Sequence, residues 1–221
     1  MKNLIAAMII MMTVSEVSVS QSINWRAVRE DKPNIVQLNA GYDFGVTTQL
    51  GYYRTFTMIK PAMVGLDFSL PMGNSLLDDF KVRLGGQVEV VEFHGFSAAI
   101  KISSVFRRYQ TELVRIVSFG SDFAVLAGYC TPTWSVGGEF GFDKSITSQI
   151  KNSEIMRAYF PAIKDGWYVP TGGHYYYGIQ GGKTIGESFD LSLRLGATRA
   201  QFDDENAVLP LYLQMGLGMR F

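Results

Sequence analysis

The sequence is poor in the residues that build disulfides and metal centres. Its 221 residues include one cysteine, Cys130, and two histidines, His94 and His174. A single cysteine forms no intramolecular disulfide, and no CxxC pair or Cys/His cluster offers the ligand spacing of a zinc site. We therefore expect no metal and no cofactor, and we interpret Cys130 as a small buried residue rather than a reactive thiol.

An excess of charge is also missing. Twenty basic residues balance twenty acidic ones, so the formal net charge is zero. A protein that binds nucleic acid must neutralise many phosphate groups and is usually basic. The composition therefore argues against a nucleic-acid partner.

Long apolar runs are confined to the N-terminus. Lys2 precedes an apolar run from Leu4 to Val14, and small residues follow at Ser18 and Ser20, which is the order of a secretory signal peptide. As a helix this run would rise only about 16 Å, against a hydrocarbon core of about 30 Å. Without another long apolar run, the mature chain could cross a membrane only as a β-barrel. The predicted division is a signal peptide at 1–20, a periplasmic segment at 21–33 and a barrel at 34–221.

What the sequence does contain is a two-residue alternation of apolar and polar side chains. In the C-terminal stretch LYLQMGLGMRF, Leu211, Leu213 and Met215 fall on one side of an extended chain, and Tyr212 and Gln214 fall on the other. The same rhythm recurs along the chain and is typical of β-strands. It predicts ten antiparallel strands, near residues 34–44, 47–58, 61–71, 80–91, 95–107, 121–131, 133–143, 173–186, 188–200 and 209–221.

The region before the sixth predicted strand leaves the strand number open. Leu113, Val117 and Phe119 continue the phase of that strand, so it could extend as part of a tall hairpin. The alternative is a barrel of twelve strands, with additional strands near 112–119 and 151–160.

The polar face of the predicted strands carries charges of both signs and many glycines. Inside a barrel, opposite charges can pair and glycines leave room for long side chains, whereas on a solvent-facing surface the glycines would weaken the strands. We therefore predict that the polar face lines the lumen and that the apolar face contacts lipid. A secreted lipocalin-like barrel with its apolar face inward is the soluble alternative. The predicted lumen charge network is Asp43, Asp67, Lys81, Arg83, Glu89, Lys101, Arg107, Glu139, Asp143, Asp190, Arg194 and Arg220.

Together these features carry a family resemblance. A signal peptide, a meander of alternating strands with short turns on one side, and a last strand that ends in Phe221 resemble the small outer-membrane β-barrel proteins of Gram-negative bacteria. The resemblance implies an all-β fold, a transmembrane antiparallel up-and-down barrel, and contact with outer-membrane lipid. It also implies that Phe221 belongs to the assembly signal read by the barrel-assembly machinery.

The sequence offers little chemistry for catalysis. His174 could approach Asp143 or Glu139, which is the minimum for base catalysis, but no serine motif or second acidic pair stands beside it. We predict no catalytic residue, and we expect a non-enzymatic barrel with a salt-bridged lumen and surface loops for partner contact or envelope support. A small-solute channel is the alternative, and an outer-membrane lipid-modifying enzyme or protease is a third.

The segment 144–172 is the longest interruption of the alternation. Long connections in compact domains are uncommon unless they bind something. We therefore predict that this segment is the surface loop that contacts an extracellular or envelope ligand. Its candidate contact residues are Tyr159, Phe160, Trp167 and Tyr168. The alternative is a loop that folds over the barrel mouth and packs its own aromatic side chains.

Overall fold

The computed structural model of the protein describes residues 24–28, 30–42, 46–71, 78–169, 172–201 and 210–221. The predicted signal peptide and Asp43 of the predicted charge network lie outside these residues. A short 3-10 helix, Trp25–Ala27, precedes the first strand, and one α-helix, α1, covers Glu154–Tyr159. The strands are β1 Asn34–Tyr42, β2 Val46–Thr57, β3 Pro61–Pro71, β4 Asp79–Phe93, β5 Phe96–Gln110, β6 Val114–Cys130, β7 Trp134–Asn152, β8 Gly166–Tyr168, β9 Gly173–Ile185, β10 Phe189–Ala200 and β11 Leu211–Arg220.

The strands close into a barrel. Neighbours pair antiparallel from β1 to β7 and then through β9 and β10 to β11, which pairs with β1. The closed ring has ten strands and no free edge, which confirms the predicted all-β barrel and its strand number. The three-residue strand β8 pairs with β7 at 148–150, beyond the end of β9.

The barrel has two unlike ends. Short turns follow β2, β4, β6 and β9. The first residue of β1 and the last residue of β11 lie beside these turns. We call this the turn end and the opposite end the loop end. His94 and Gly95 form one of these turns, and both have a positive φ, 49° and 93°. Glycine adopts this conformation without strain, which explains the tight reversal between β4 and β5.

The apolar side chains of the strands face outward. On β11, Leu211, Leu213 and Met215 are exposed, while Tyr212 and Gln214 are buried. The buried positions of the other strands are mainly polar in the same way, with Asn39, Gln49 and Arg194 among the most enclosed side chains. The lipocalin-like alternative requires an apolar face that lines the interior. The apolar face of this barrel lies on the outside instead.

At the loop end the turn 111–113 joins β5 and β6 in a hairpin, and β7 extends beside β6 as far as Asn152, beyond its pairing with β9. We call these extended strand ends the tall hairpin. β6 is continuous from Val114 to Cys130, so the additional strand near 112–119 is part of β6, and the second additional strand, near 151–160, is largely α1. The twelve-strand alternative is therefore wrong.

The predicted loop 144–172 is also shorter than expected, because its first nine residues continue β7 as far as Asn152. Gly120 pairs with Ser145 and Phe119 with Thr147, which leaves Ile146 as an additional residue in β7. This bulge shifts the alternation by one residue and interrupts the period on which the prediction depended.

Candidate functional site: the charged lumen

Ion pairs line the inside of the barrel. Most of their side chains are nearly inaccessible to water, so each charge depends on its partner within the protein. Lys81 on β4 reaches Asp143 on β7, three strands away around the ring. The pairs are Lys81–Asp143 at 2.8 Å, Lys101–Asp122 at 3.2 Å, Arg107–Asp79 at 3.0 Å, Arg220–Asp190 at 2.8 Å, and Arg194–Glu139.

Two acidic partners escape the sequence prediction. Asp122 forms an ion pair with Lys101, and Asp79 binds Arg107 through both carboxylate oxygens. Asp79 precedes the predicted start of its strand, so the alternation did not include it. Asp122 lies on the polar face of β6. The alternation of apolar and polar residues that places Lys101 on the polar face of β5 also places Asp122 on the polar face of its own strand.

Of the remaining predicted lumen residues, Glu89 and Asp67 accept hydrogen bonds and Arg83 forms none. Glu89 accepts a hydrogen bond from Ser97 Oγ, and Asp67 accepts one from Tyr53 Oη. Arg83 is only 1% exposed, and its three guanidinium nitrogens have no hydrogen-bond partner. Its register partner across the β3–β4 pairing is Asp67.

Three inward-facing tyrosines, Tyr53, Tyr176 and Tyr212, donate to buried carboxylates, and the last two do so across the lumen. Tyr212 Oη donates to Glu139 Oε1 at 2.7 Å, from β11 to β7, and Tyr176 Oη donates to Asp122 Oδ1 at 2.8 Å, from β9 to β6. The guanidinium of Arg194 also lies over the Tyr212 ring, 4.2 Å from its centroid. These bonds satisfy the carboxylates and hold non-adjacent strands together.

Glycines make room for the three tyrosine rings. A Cβ atom at Gly141 would overlap the Tyr176 ring, and one at Gly178 or Gly196 would overlap Tyr212 Oη. Gly65 stands in the same relation to the ring of Tyr53. The glycine-rich polar face is therefore explained by aromatic side chains as well as by long basic ones. The sequence analysis did not identify this role for the tyrosines.

The N-terminal segment closes the turn end. Trp25 is buried among the inward-facing Ile35, Met63, Ala99 and Leu126. The residues on either side of Trp25 are bound to the turn end of the barrel. Arg26 forms an ion pair with Glu92, and Asn24 Nδ2 donates to Thr131 O at 2.9 Å.

Above Trp25 lies a cavity of about 70 Å³ lined in part by Gln87, Ser97 and Gln180. This volume holds a few water molecules. The lumen is thus narrow, polar and covered at one end.

Within the described residues, neither of the predicted carboxylate partners, Asp143 or Glu139, is hydrogen-bonded to His174. Asp143 lies directly opposite it in the β7–β9 register, but Asp143 Oδ2 is engaged by Lys81. His174 Nδ1 is buried without a hydrogen-bond partner. His94 lies in the β4–β5 turn, and Cys130 is buried beside Trp25 in the cavity wall. Among the residues that the structure describes, no group of three or more His, Cys, Asp or Glu side chains could hold a metal ion.

The candidate loop residues lie at the tip of the tall hairpin in two groups. Tyr159 and Phe160 are exposed at the end of α1, whereas Trp167 and Tyr168 belong to β8. The Trp167 ring stacks on Phe119 of β6, 6.2 Å between centroids. No ring contact joins Tyr159 or Phe160 to Trp167 within the described part of the hairpin.

Hydrogen bonds between the exposed Asp165 and the buried Asn152 fix the base of this loop. Asp165 Oδ1 accepts hydrogen bonds from both the backbone nitrogen and Nδ2 of Asn152, each at 2.9 Å. Arg157 lies 3.6 Å from the other carboxylate oxygen. The bonds from Asn152 hold the pKa of Asp165 below its usual value.

Aromatic rings form a belt near each end of the outward face. At the loop end the rings of Phe68, Phe80, Phe106, Phe119 and Trp167 follow one another across neighbouring strands, with centroid separations of 5.1–6.2 Å. The turn end has a corresponding set of rings. It consists of Phe96, Tyr129 and Trp134, with separations of 5.3 and 5.7 Å.

No family model matches the chain, and no curated protein matches it. Among the described residues, no helix has the length and apolar character needed to span a membrane.

Proposed function

We propose that the protein is an outer-membrane β-barrel of a Gram-negative bacterium. In this proposal the barrel is non-enzymatic, the charged lumen is closed, and the tall hairpin at the loop end contacts partners outside the cell or supports the envelope. Outer-membrane lipid surrounds the apolar face. The barrel-assembly machinery recognises the last strand, β11, with Phe221 at its end, after export directed by the N-terminal signal peptide.

The observation that supports this proposal best is the spacing of the two aromatic belts. Phe96 and Phe106 are ten residues apart on β5, and Phe119 and Tyr129 are ten residues apart on β6. Ten residues of strand extend about 34 Å, or about 26 Å in height at a tilt of about 40°. An outer-membrane barrel presents an apolar band about 25 Å tall between two aromatic girdles. The face between these belts is apolar and exposed, as lipid contact requires.

The contents of the lumen favour a closed barrel over a solute channel. Lys81–Asp143 and Tyr212–Glu139 connect strands that are not adjacent, and Trp25 covers the turn end. A conducting pore needs a continuous water-filled path, and ten strands leave little space for one. The third possibility, a lipid-modifying enzyme or protease, has less support, because among the described residues Asp143, which stands opposite His174, is engaged by Lys81.

Membrane location is tested by fractionation and heat-modifiable migration. The full chain should sediment with outer membranes, and unheated samples should migrate differently from heated ones, because a closed barrel without a free edge resists detergent. A soluble periplasmic protein expressed in the same cells is the control. Recovery of the protein in the soluble periplasmic fraction would exclude the proposed location.

Planar-bilayer recordings test the closed lumen. The purified barrel should insert without stable unitary currents, and a porin purified in the same detergent should conduct under identical conditions. Stable unitary currents from this protein would replace the closed-barrel proposal with the small-solute channel.

A further inference from the structure

Three basic side chains form a row on the outward face, just beyond the aromatic belt of the loop end. Arg108 on β5, Arg115 on β6 and Lys151 on β7 share this face, because each lies an even number of positions from the outward-facing Phe106, Phe119 or Thr147. Arg115 and Lys151 are register partners, and Arg108 lies diagonally from Arg115. We call these three residues the basic row.

The arrangement places like charges directly opposite one another. Partners in antiparallel strands have Cβ atoms about 5 Å apart, and like charges at this separation are destabilising. Arg115 and Lys151 are both exposed, and within the described residues neither forms an ion pair with a carboxylate. Lys151 lies near enough to Asp165 to help lower the pKa of that carboxyl group, whereas Arg115 has no such acidic neighbour among the described residues. Arg108 donates one hydrogen bond, to Gln110 Oε1 at 2.6 Å. An external anion would relieve this repulsion.

The position of the row suggests the source of the anion. Arg108 lies two residues beyond Phe106 and Arg115 lies four beyond Phe119, which corresponds to about 5 Å and about 10 Å in height on tilted strands. The headgroup layer of a bilayer extends about 5–8 Å beyond the hydrocarbon on each side. Long basic side chains can extend toward this layer while their stems cover apolar surface.

We propose that the basic row binds phosphate groups of anionic lipid in the leaflet at the loop end. This inference depends on the proposed membrane location and adds a chemical partner to it. The exposed guanidinium group of Arg115 can hold a phosphate through two parallel hydrogen bonds. Lys151 adds a second positive charge, and Arg108, whose Nη2 is engaged by Gln110, adds a third. The belt rings at Phe106, Phe119 and Trp167 lie against the lipid chains below.

Lipid binding by a double variant provides the test. The full-length barrel is placed in neutral detergent micelles that contain increasing amounts of bisphosphorylated lipid A, and binding is followed by native mass spectrometry. Arg115→Gln with Lys151→Gln should weaken binding about thirty-fold, because two cations near the anionic headgroups are lost. The matched control is Arg54→Gln with Lys183→Gln, which removes two exposed outward cations at the turn end and should leave binding within about threefold.

A second measurement separates lipid binding from a structural role. In lipid-free micelles the Arg115→Gln, Lys151→Gln variant should melt at the same temperature as the parent or higher, since a like-charge pair has been removed. With lipid A present the order should reverse. A variant that melts lower under both conditions would indicate a structural role and overturn the proposal.

Other outcomes also contradict the proposal. Equal lipid binding by the parent and the basic-row variant, or an equal loss in the turn-end control, would overturn it. Stabilisation by inorganic phosphate at the same phosphate concentration would assign the row to free anions instead of lipid. A parent barrel that never inserts into liposomes would refute the proposed membrane location, whereas an inserting barrel with an unaffected variant would refute only this inference.

Discussion

At the scale of single residues, the lumen depends on tyrosines that occupy the space above glycines. Gly141 faces the Tyr176 ring, and Tyr176 in turn donates to Asp122, the partner of Lys101. One missing Cβ atom thus permits a ring, a hydrogen bond and an ion pair. The glycines of the inward face are therefore part of the packing of the lumen.

We expect Gly141→Ala to destabilise the barrel by about 1–3 kcal/mol, because the new methyl group would displace the Tyr176 ring and strain the bond to Asp122. The measurement is urea-induced unfolding of the refolded protein in detergent. Gly138→Ala is the control, because Gly138 lies on the same strand and a Cβ atom there would be 3.7 Å from its nearest neighbour, the carbonyl oxygen of Gly178. Similar losses in both variants would mean that the cost comes from the backbone rather than from the ring.

Removing the charge of each of the two most enclosed arginines should have different effects on the free energy of unfolding. Arg194 is bound to Glu139 and donates to Gln214 Oε1 at 3.2 Å, so Arg194→Met leaves a buried carboxylate without its cation and should cost about 3–5 kcal/mol. Arg83 has no hydrogen-bond partner but stands opposite the buried Asp67 in the β3–β4 register, so Arg83→Met should cost about 1–3 kcal/mol, less than Arg194→Met. A loss for Arg83→Met as large as that for Arg194→Met in the same urea titration would contradict this distinction.

At the scale of elements, the short 3-10 helix acts as a cover for the turn end. Trp25 fills the space between inward-facing apolar side chains, and Cys130, the single cysteine of the chain, lies in the same cavity wall. The cysteine is therefore a natural reporter of whether this end is closed.

We expect Cys130 to react slowly with a charged maleimide in the folded barrel and at least tenfold faster in Trp25→Ala, because a buried thiol is protected from reagents in water. The same substitution should cost about 3 kcal/mol or more, since it removes a large buried side chain. Mass spectrometry of the intact protein measures the labelling rate, and Trp167→Ala, at the opposite end, is the control. Equal labelling of the parent and Trp25→Ala would show that the helix does not cover the lumen.

The tip of the tall hairpin is an element with its own pH dependence. The pKa of Asp165 is lowered by the hydrogen bonds from Asn152, so the stabilisation of the loop is present above the usual pKa of 3.8 and is lost as the pH falls through the lowered value. We expect cleavage by pepsin within 153–165 to increase as the pH falls below this value. In Asp165→Asn the cleavage should not change with pH over the same range, after correction for pepsin activity on an unfolded substrate. An identical pH profile in both proteins would assign the change to another group.

At the scale of the whole molecule, closure of the barrel depends on the seam between β1 and β11. Phe221 extends this seam, because its backbone exchanges hydrogen bonds with Asn34, both at 3.0 Å. Its side chain is half exposed on the outward face. The ring therefore contributes little to the packing of the finished barrel.

We expect deletion of Phe221 to reduce the amount of assembled barrel in cells more than it reduces stability, if the last strand is the assembly signal. The amount of heat-modifiable protein in outer membranes measures assembly, and urea unfolding of the refolded protein measures stability. Phe189→Ala removes another outward aromatic at the turn end and is the control. Normal levels of the shortened protein in outer membranes would remove Phe221 from the assembly signal.

The sequence by itself predicted the ten strands of the ring, with a twelve-strand alternative left open, and the face on which most of their side chains lie. The reason is that successive side chains of a strand point to opposite faces, so an alternation such as that of Leu211, Tyr212 and Leu213 records the faces locally. The prediction failed at Ile146 because a bulge adds one residue and shifts this period.

The tertiary structure alone decided which charges meet. Lys81 finds Asp143 three strands away, and Arg115 stands opposite Lys151, although neither pairing follows from the alternation. These contacts depend on strand register and on the stagger with which the sheet closes. Periodicity along the chain assigns a residue to the inside or the outside, but the closed ring determines its neighbours across the lumen.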